Sequence, residues 1–222
     1  MTFDIERARF NMVEQQIRTW EVLDPDVLEL LFTVKREAFV PPQYRALAFA
    51  DLELPLTDDG APGQSMWPPK LEARVLQSLV IRPGERVLEI GTGSGYFSAL
   101  LAARGAEVLS VEIDPLRAAH ARAKLLRNGF GRVVVEVGDG ARGYGRETFD
   151  AIVLTGSTPL LPDAFAKQLT PGGRLFAIVG EAPVMEARLV RWTAPGAPVA
   201  TNLFETVVPP LVNALQPARF TF

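Results

Sequence analysis

The chain has 222 residues, 23 basic and 26 acidic side chains, a formal net charge of −3, no cysteine and one histidine. This excludes a disulfide framework, a thiolate zinc site, a cysteine nucleophile and a multi-histidine metal centre. A pI near 5.4 leaves no electrostatic footprint for nucleic acid or an anionic membrane surface.

Hydrophobic residues at 48% and charged residues at 22% are ordinary for a globular protein, and the length suits one core with a terminal elaboration. No apolar run reaches the ~18–20 residues of a membrane span. Asp4 and Glu6 stand where a signal or transit peptide would be basic, so the expected setting is the cytoplasm. The oligomeric state is not readable.

Taken in chain order, Ile5, Ala8, Met12, Val13 and Ile17 form a helical stripe. Asp24-Pro25 reads as an N-cap and first helical position, followed by Val27, Leu30, Leu31 and Val34. Pro41-Pro42 stops that helix, and residues 46–63 read as an irregular loop ending in Gly63-Gln64-Ser65-Met66-Trp67-Pro68-Pro69. Helical spacing returns over 70–79.

From Arg86 the texture changes to short apolar runs at 87–90, 108–111, 133–137, 151–154 and 175–179, separated by helical stretches at 98–104, 115–128 and 162–169. Runs without alternation fit strands buried on both faces, hence a mostly parallel sheet flanked by helices. After Gly180 alternation returns, which predicts antiparallel strands added at one edge. The expected division is an N-terminal helical extension with a substrate-side loop at 1–80, packed on a core at 81–222.

Leu88 to Tyr96 is a strand running into Gly91-Thr92-Gly93-Ser94-Gly95 and then a helix. Glycines there let the chain turn sharply and let a ligand approach main-chain N–H groups. The loop lacks the Gly-Lys-Ser/Thr of a triphosphate site, and its third glycine comes one residue early for a dinucleotide fingerprint. Glu89, two residues before Gly91, would repel a pyrophosphate and attract a cation; unit charges 4 Å apart interact by about 4 kcal/mol at an effective dielectric of 20. Glu112, 21 residues after Gly91, can accept from ribose hydroxyls, and Gly138-Asp139-Gly140 offers a second carboxylate beside open backbone. S-adenosylmethionine, with an ammonium, a sulfonium and a ribose, fits all three.

At these residues the chain resembles the class I S-adenosylmethionine-dependent methyltransferases, and more narrowly the protein-L-isoaspartate (D-aspartate) O-methyltransferase family. The resemblance lies in Val87 to Tyr96, Val111-Glu112-Ile113, Gly138-Asp139-Gly140, Phe149 to Val153, Gln168-Leu169 and Gly172 to Leu175. It also lies in Met12 to Ile17, Arg36 to Pro41 and Gly63-Gln64. It implies a Rossmann-like α/β fold and cofactor contacts from Glu89, Gly91, Thr92, Gly93, Ser94, Gly95, Glu112, Ile113, Asp139, Gly140 and Thr155. Glu89 is expected on the methionine ammonium side, Glu112 at the ribose and Asp139 at the adenine amino group. Gln64, Ser65, Met66 and Trp67 are expected on the substrate side, the substrate being a protein or peptide that carries isoaspartate. Thr155-Gly156-Ser157-Thr158-Pro159 departs mildly from the family's alanine-rich run.

The family usually has Thr-Ile-Ser-Gln-Pro where this chain has Ser65-Met66-Trp67-Pro68-Pro69, so an indole stands at the serine position. Two readings stay open for Trp67: a loop residue covering the core, or a contact to substrate or cofactor that narrows the acceptor pocket. Asp139 likewise reads either as a ligand group or as a cap. His120 reads as a boundary residue, and Arg117, Arg122, Lys124 and Arg127 as a solvated helix face. A carboxylate acceptor with an ordinary pKa of roughly 4 needs positioning rather than a general base, so no residue is assigned a catalytic role, and no metal is expected. Another acceptor, or cofactor binding without catalysis, are the alternatives.

Overall fold

The computed structural model describes residues 4–57, 65–192 and 198–218. α1 (Ile5–Asn11) starts at Asp4, whose side chain accepts from Arg7 N, and runs on through a π-helical turn (Met12–Ile17) and a 3-10 turn (Arg18–Trp20). α2 (Pro25–Thr33) is capped by Asp24, which accepts from the N–H groups of Asp26 and Val27, as the Asp-Pro pair predicts. Two 3-10 turns follow, Arg36–Ala38 and Pro42–Leu47. β1 (Leu54–Pro55) then pairs antiparallel with β2 (Ser65–Met66), giving order to part of the stretch expected to be irregular. α3 (Pro69–Leu79) begins at Pro68.

Strands and helices then alternate: β3 (Arg86–Ile90), α4 (Tyr96–Ala103), β4 (Glu107–Glu112), α5 (Pro115–Arg127), β5 (Val134–Val137), β6 (Phe149–Thr158), α6 (Ala164–Lys167), β7 (Leu169–Glu181), β8 (Val184–Arg191) and β9 (Val199–Glu205). The sheet order is β5-β4-β3-β6-β7-β8-β9. The first five of these are parallel neighbours; β8 and β9 are antiparallel. The α/β architecture with an antiparallel edge is the one expected from the sequence.

Burial on both faces explains the unalternating strands. Along β3, Val87 joins one core cluster with Trp67, Tyr96, Phe97 and the N-terminal helices, whereas Leu88 and Ile90 join a second with Phe149 and Phe165. The strand period of two thus divides one apolar run between two cores. The first cluster runs from Met12 to Val208, so the N-terminal layer and the sheet share one interior.

The helix expected over 162–169 shrinks to one turn. Gln168 leaves the helix to exchange side-chain hydrogen bonds with the backbone N–H and C=O of Tyr144, and Leu169 pairs with Phe149 in the sheet. Of the basic residues of α5, Arg122 and Arg127 are exposed as expected, but three of the four are tied to other parts of the molecule. Arg117 pairs with Glu112, Arg122 donates to Val135 O, and Lys124 donates to Phe39 O across the molecule.

Candidate functional site

The parallel strands end beside a cavity of about 180 Å³, as expected at the carboxyl ends of an open α/β sheet. It gathers Ser65, Met66, Trp67, Glu89, Gly91, Thr92, Gly93, Ser94, Glu112, Ile113, Asp139, Gly140 and Thr155 into one lining. Gly95 is not part of it; a Cβ there would press on Leu125 at 3.3 Å, and the glycine sits at φ +83° before α4. Gln64 lies outside the described residues.

The glycine loop supplies space more than donors. Gly91 N bonds to Val111 O, Gly93 N to Glu112 Oε2 and Gly95 N to Thr92 O. The expectation that its N–H groups await a ligand is therefore corrected at all three glycines. A Cβ on Gly91 would lie 2.3 Å from Thr155 Oγ1, and the Thr155 hydroxyl is itself held by the carbonyls of Ile90 and Gly91. Ser94 Oγ accepts from Tyr96 N and so caps α4 in place of the glycine beside it.

Glu89 is fully buried. Parallel register sets it opposite Ser110 of β4, whose hydroxyl donates to Glu89 Oε2 at 2.6 Å; Ser98 of α4 donates to the same oxygen. Thr92 Oγ1 lies 2.6 Å from Ser110 Oγ, extending the chain of hydroxyls to the glycine loop. Glu89 Oε1 has no partner among the described residues. Burial pushes this carboxyl up to about 7, against the opposing pull of the two serines. A buried acceptor with no donor fits an ammonium or another cation.

Glu112 is not free, as the sequence suggested, but tied: it accepts from Gly93 N at 2.9 Å, Asp114 N at 3.1 Å and Arg117 Nε at 3.2 Å. Asp114 caps α5, accepting from the N–H groups of Leu116 and Arg117. Asp139 accepts from Ala141 N and from Asn213 Nδ2, the latter at 2.8 Å, so it is both a local cap and a tie to the C-terminal segment. Gly140 packs closely on the Ile90 side chain, whose Cδ1 a Cβ would approach to 2.5 Å.

Trp67 covers the core and also faces the cavity. Its ring is buried, edge-on to Phe97 and Phe176 at centroid distances of 5.7 and 6.3 Å, and it lines the cavity.

Sequence reasoning missed Glu72 and residues 209–212 of the lining. Glu72 had a readable signal, a carboxylate on the apolar stripe of Leu71, Val75, Leu76 and Leu79. The strap at 209–212 had none. It is fixed by Ser157, whose N–H and C=O bond to Pro209 O and Leu211 N and whose hydroxyl donates to Val208 O.

A family model described as Protein-L-isoaspartate(D-aspartate) O-methyltransferase (PCMT) matches residues 7–215. A protein-L-isoaspartate O-methyltransferase of Methanoculleus marisnigri is 44% identical over 175 residues, 78% of either chain. Among solved structures, a protein-L-isoaspartate O-methyltransferase is similar with a TM-score of 0.78 at 25% identity, covering 91% of this chain and 65% of that one. A Plasmodium falciparum β-aspartate methyltransferase, solved in complex with S-adenosyl-L-homocysteine, has the same fold at a TM-score of 0.78 and 17% identity, over 95% of this chain and 99% of its own.

Proposed function

The chain belongs to the protein-L-isoaspartate (D-aspartate) O-methyltransferase family, and from that premise we propose that it transfers a methyl group from S-adenosylmethionine to the carboxylate of L-isoaspartyl and D-aspartyl residues in damaged proteins. The observation that supports this most is the buried, partnerless Glu89 Oε1 in one cavity with Glu112 and Asp139. When bound, the sulfonium supplies an activated methyl for in-line displacement.

The chain's own residues then bind and orient. Glu89 accepts from the cofactor's ammonium. Glu112, held rigid by Arg117 and two backbone N–H groups, receives the ribose hydroxyls, and Asp139 takes the adenine amino group. Gly91, Gly93 and Gly95 shape the turn, while Thr92, Ser94, Ile113, Gly140 and Thr155 form or brace the walls. The acceptor approaches past Gln64, Ser65, Met66 and Trp67, within the cover that residues 1–80 lay over the core at 81–222. An ionised carboxylate needs no general base, only desolvation and alignment. The substrate is thus a protein or peptide carrying isoaspartate, and the setting the cytoplasm. Among the described residues, no helix is long and apolar enough to cross a membrane.

The test is transfer of labelled methyl from S-adenosylmethionine to an isoaspartyl peptide and to its aspartyl counterpart. Labelling of the first alone is expected. Failure to label it, by protein that binds S-adenosylhomocysteine in calorimetry, overturns the acceptor; failure to bind overturns the cofactor. A second reading, a different acceptor on the same cofactor, is favoured by Trp67, whose indole fills the wall where the family has serine. On that reading Trp67→Ser raises isoaspartyl labelling from a low level.

A further inference from the structure

The wall on the acceptor side is lightly built. β2 pairs with β1 over two residues, Met66 with Leu54 and Ser65 with Pro55, and so short a ladder is marginal by itself. Pro68 and Pro69 follow Trp67 directly. Neither has an N–H, so this stretch can be held through its carbonyls but not through donors of its own. Pro68 O is taken by the N–H groups of Leu71 and Glu72, at 3.0 and 3.2 Å, where α3 starts. The Trp67 carbonyl falls to a side chain.

That side chain is Arg36. The floor beneath the wall is a buried pair, Arg36 and Glu72. Arg36 Nη2 donates to Trp67 O, Nη1 to Ala48 O at 3.3 Å and Nε to Glu72 Oε2 at 3.2 Å. One planar fork thus joins the end of the wall, the chain after the 42–47 turn and the start of α3, with Glu72 as its countercharge. A lysine would keep the charge and lose the fork.

The base of the fork is seated in the core. Phe39, next to the 36–38 turn, is fully buried with its ring 5.5 Å from that of Tyr96, and its carbonyl accepts from Lys124 Nζ of α5 at 2.7 Å. The Arg36 guanidinium carbon lies 5.7 Å from the centre of the same Tyr96 ring. Tyr96 directly follows Gly95, so one aromatic ring refers the acceptor wall and the glycine loop to a common point.

In-line transfer needs the acceptor oxygen on the axis of the breaking bond, and a misplacement of about 1 Å costs about 100-fold in rate. We propose that Arg36 is a positioning residue for methyl transfer. It is not part of the cavity lining; acting through the Trp67 carbonyl, it holds Ser65, Met66 and Trp67 in fixed relation to the glycine loop, so that the acceptor meets the methyl group in line. This rests on methyl transfer from S-adenosylmethionine and holds for any acceptor that enters past Trp67.

The test compares the full chain with Arg36→Lys in three measurements: calorimetric binding of S-adenosylhomocysteine, transfer of labelled methyl to an isoaspartyl peptide, and amide hydrogen exchange. Binding should stay within about twofold, while kcat falls about 100-fold and the peptide KM changes by less than about threefold. Backbone amides at 65–67 should exchange at least about tenfold faster, with those of β3 and β6 unchanged.

Full transfer by Arg36→Lys shows that charge opposite Glu72 is enough and overturns the proposal. So does a loss of cofactor binding as large as the loss in kcat, since a general structural role would move both together. If Arg36→Lys does not fold, the unmodified protein decides: amides at 65–67 that exchange with those at the start of α3 support the clamp, and exchange at the rate of unstructured peptide overturns it. Unmodified protein that binds S-adenosylhomocysteine but labels no isoaspartyl peptide defeats the acceptor reading instead, and the exchange comparison then decides the clamp alone.

Discussion

Glu112 and Glu89 end neighbouring parallel strands on one cavity, yet their surroundings treat them oppositely. Glu112 receives two backbone N–H groups and an arginine. Glu89 receives two neutral hydroxyls on one oxygen and, among the described residues, nothing on the other. The first is a fixed charge whose remaining lone pairs can read hydroxyl geometry. The second is a charge left for a ligand to complete, and beside it Glu72 adds another. One residue type near the carboxyl ends of adjacent strands thus gives one carboxylate tied by two backbone N–H groups and an arginine, and another with one oxygen left open among the described residues.

The contrast breaks most severely at Arg36. Arg36→Met removes the guanidinium that faces Glu72 and holds the Trp67 carbonyl, and should cost about 3–5 kcal/mol, read by denaturant unfolding above about pH 8, where Glu72 is ionised. An unchanged midpoint would mean that the floor needs no countercharge.

Next in size is the pH response of the unliganded protein. An unfolded chain ionises Glu89 and Glu72 at the ordinary carboxylate value, whereas the folded one keeps protons up to about 7 and about 8. Stability from those protons is complete below roughly pH 4.5 and drains away as pH rises through the higher values, by at most about 1.4 kcal/mol per pH unit for each proton held. Glu85 and Asp150, held below the carboxylate range by Arg174 and by backbone and side-chain donors, act the other way and lose stability only in acid. Melting temperature should therefore fall from mildly acid to mildly basic pH, and S-adenosylmethionine should recover more of it at the basic end. A flat profile would mean that Glu89 and Glu72 do not hold their protons above the ordinary carboxylate range.

Glu89→Gln keeps the shape and loses the charge. It should weaken S-adenosylmethionine about 100-fold, roughly 2.7 kcal/mol, in calorimetric titration, while making the unliganded protein more stable at basic pH. Arg117→Ala leaves Glu112 its two N–H donors and should cost only about tenfold in the same titration. Smallest is Asn213→Ala, which cuts the tie from the C-terminal strap to Asp139; about 0.5–1.5 kcal/mol of stability is expected to go, with little loss of cofactor binding.

Legibility followed range. Asp24-Pro25 and Asp114-Pro115 announced their helices because a cap acts within three residues, and the strand–glycine–helix turn announced the cavity. The shortened helix before Leu169 was not readable, because Gln168 is claimed by Tyr144, 24 residues upstream. The strap at 209–212 was hidden for the same reason, being fixed by pairing with Ser157. At Trp67 the sequence showed the substitution, and only packing against Phe97 and Phe176 showed how the indole is seated.

The sequence by itself determined which side chains the site possesses, the strand ends that present them, and the preference for a cationic nucleoside over a pyrophosphate, since these depend on composition and on spacings of a few residues. The tertiary structure alone decided that Glu112 pairs with Arg117 and Glu72 with Arg36, while Glu89 receives only the hydroxyls of Ser98 and Ser110 among the described residues. A carboxylate's charge state depends on the water and partners left around it, and those are set by elements far apart in the chain.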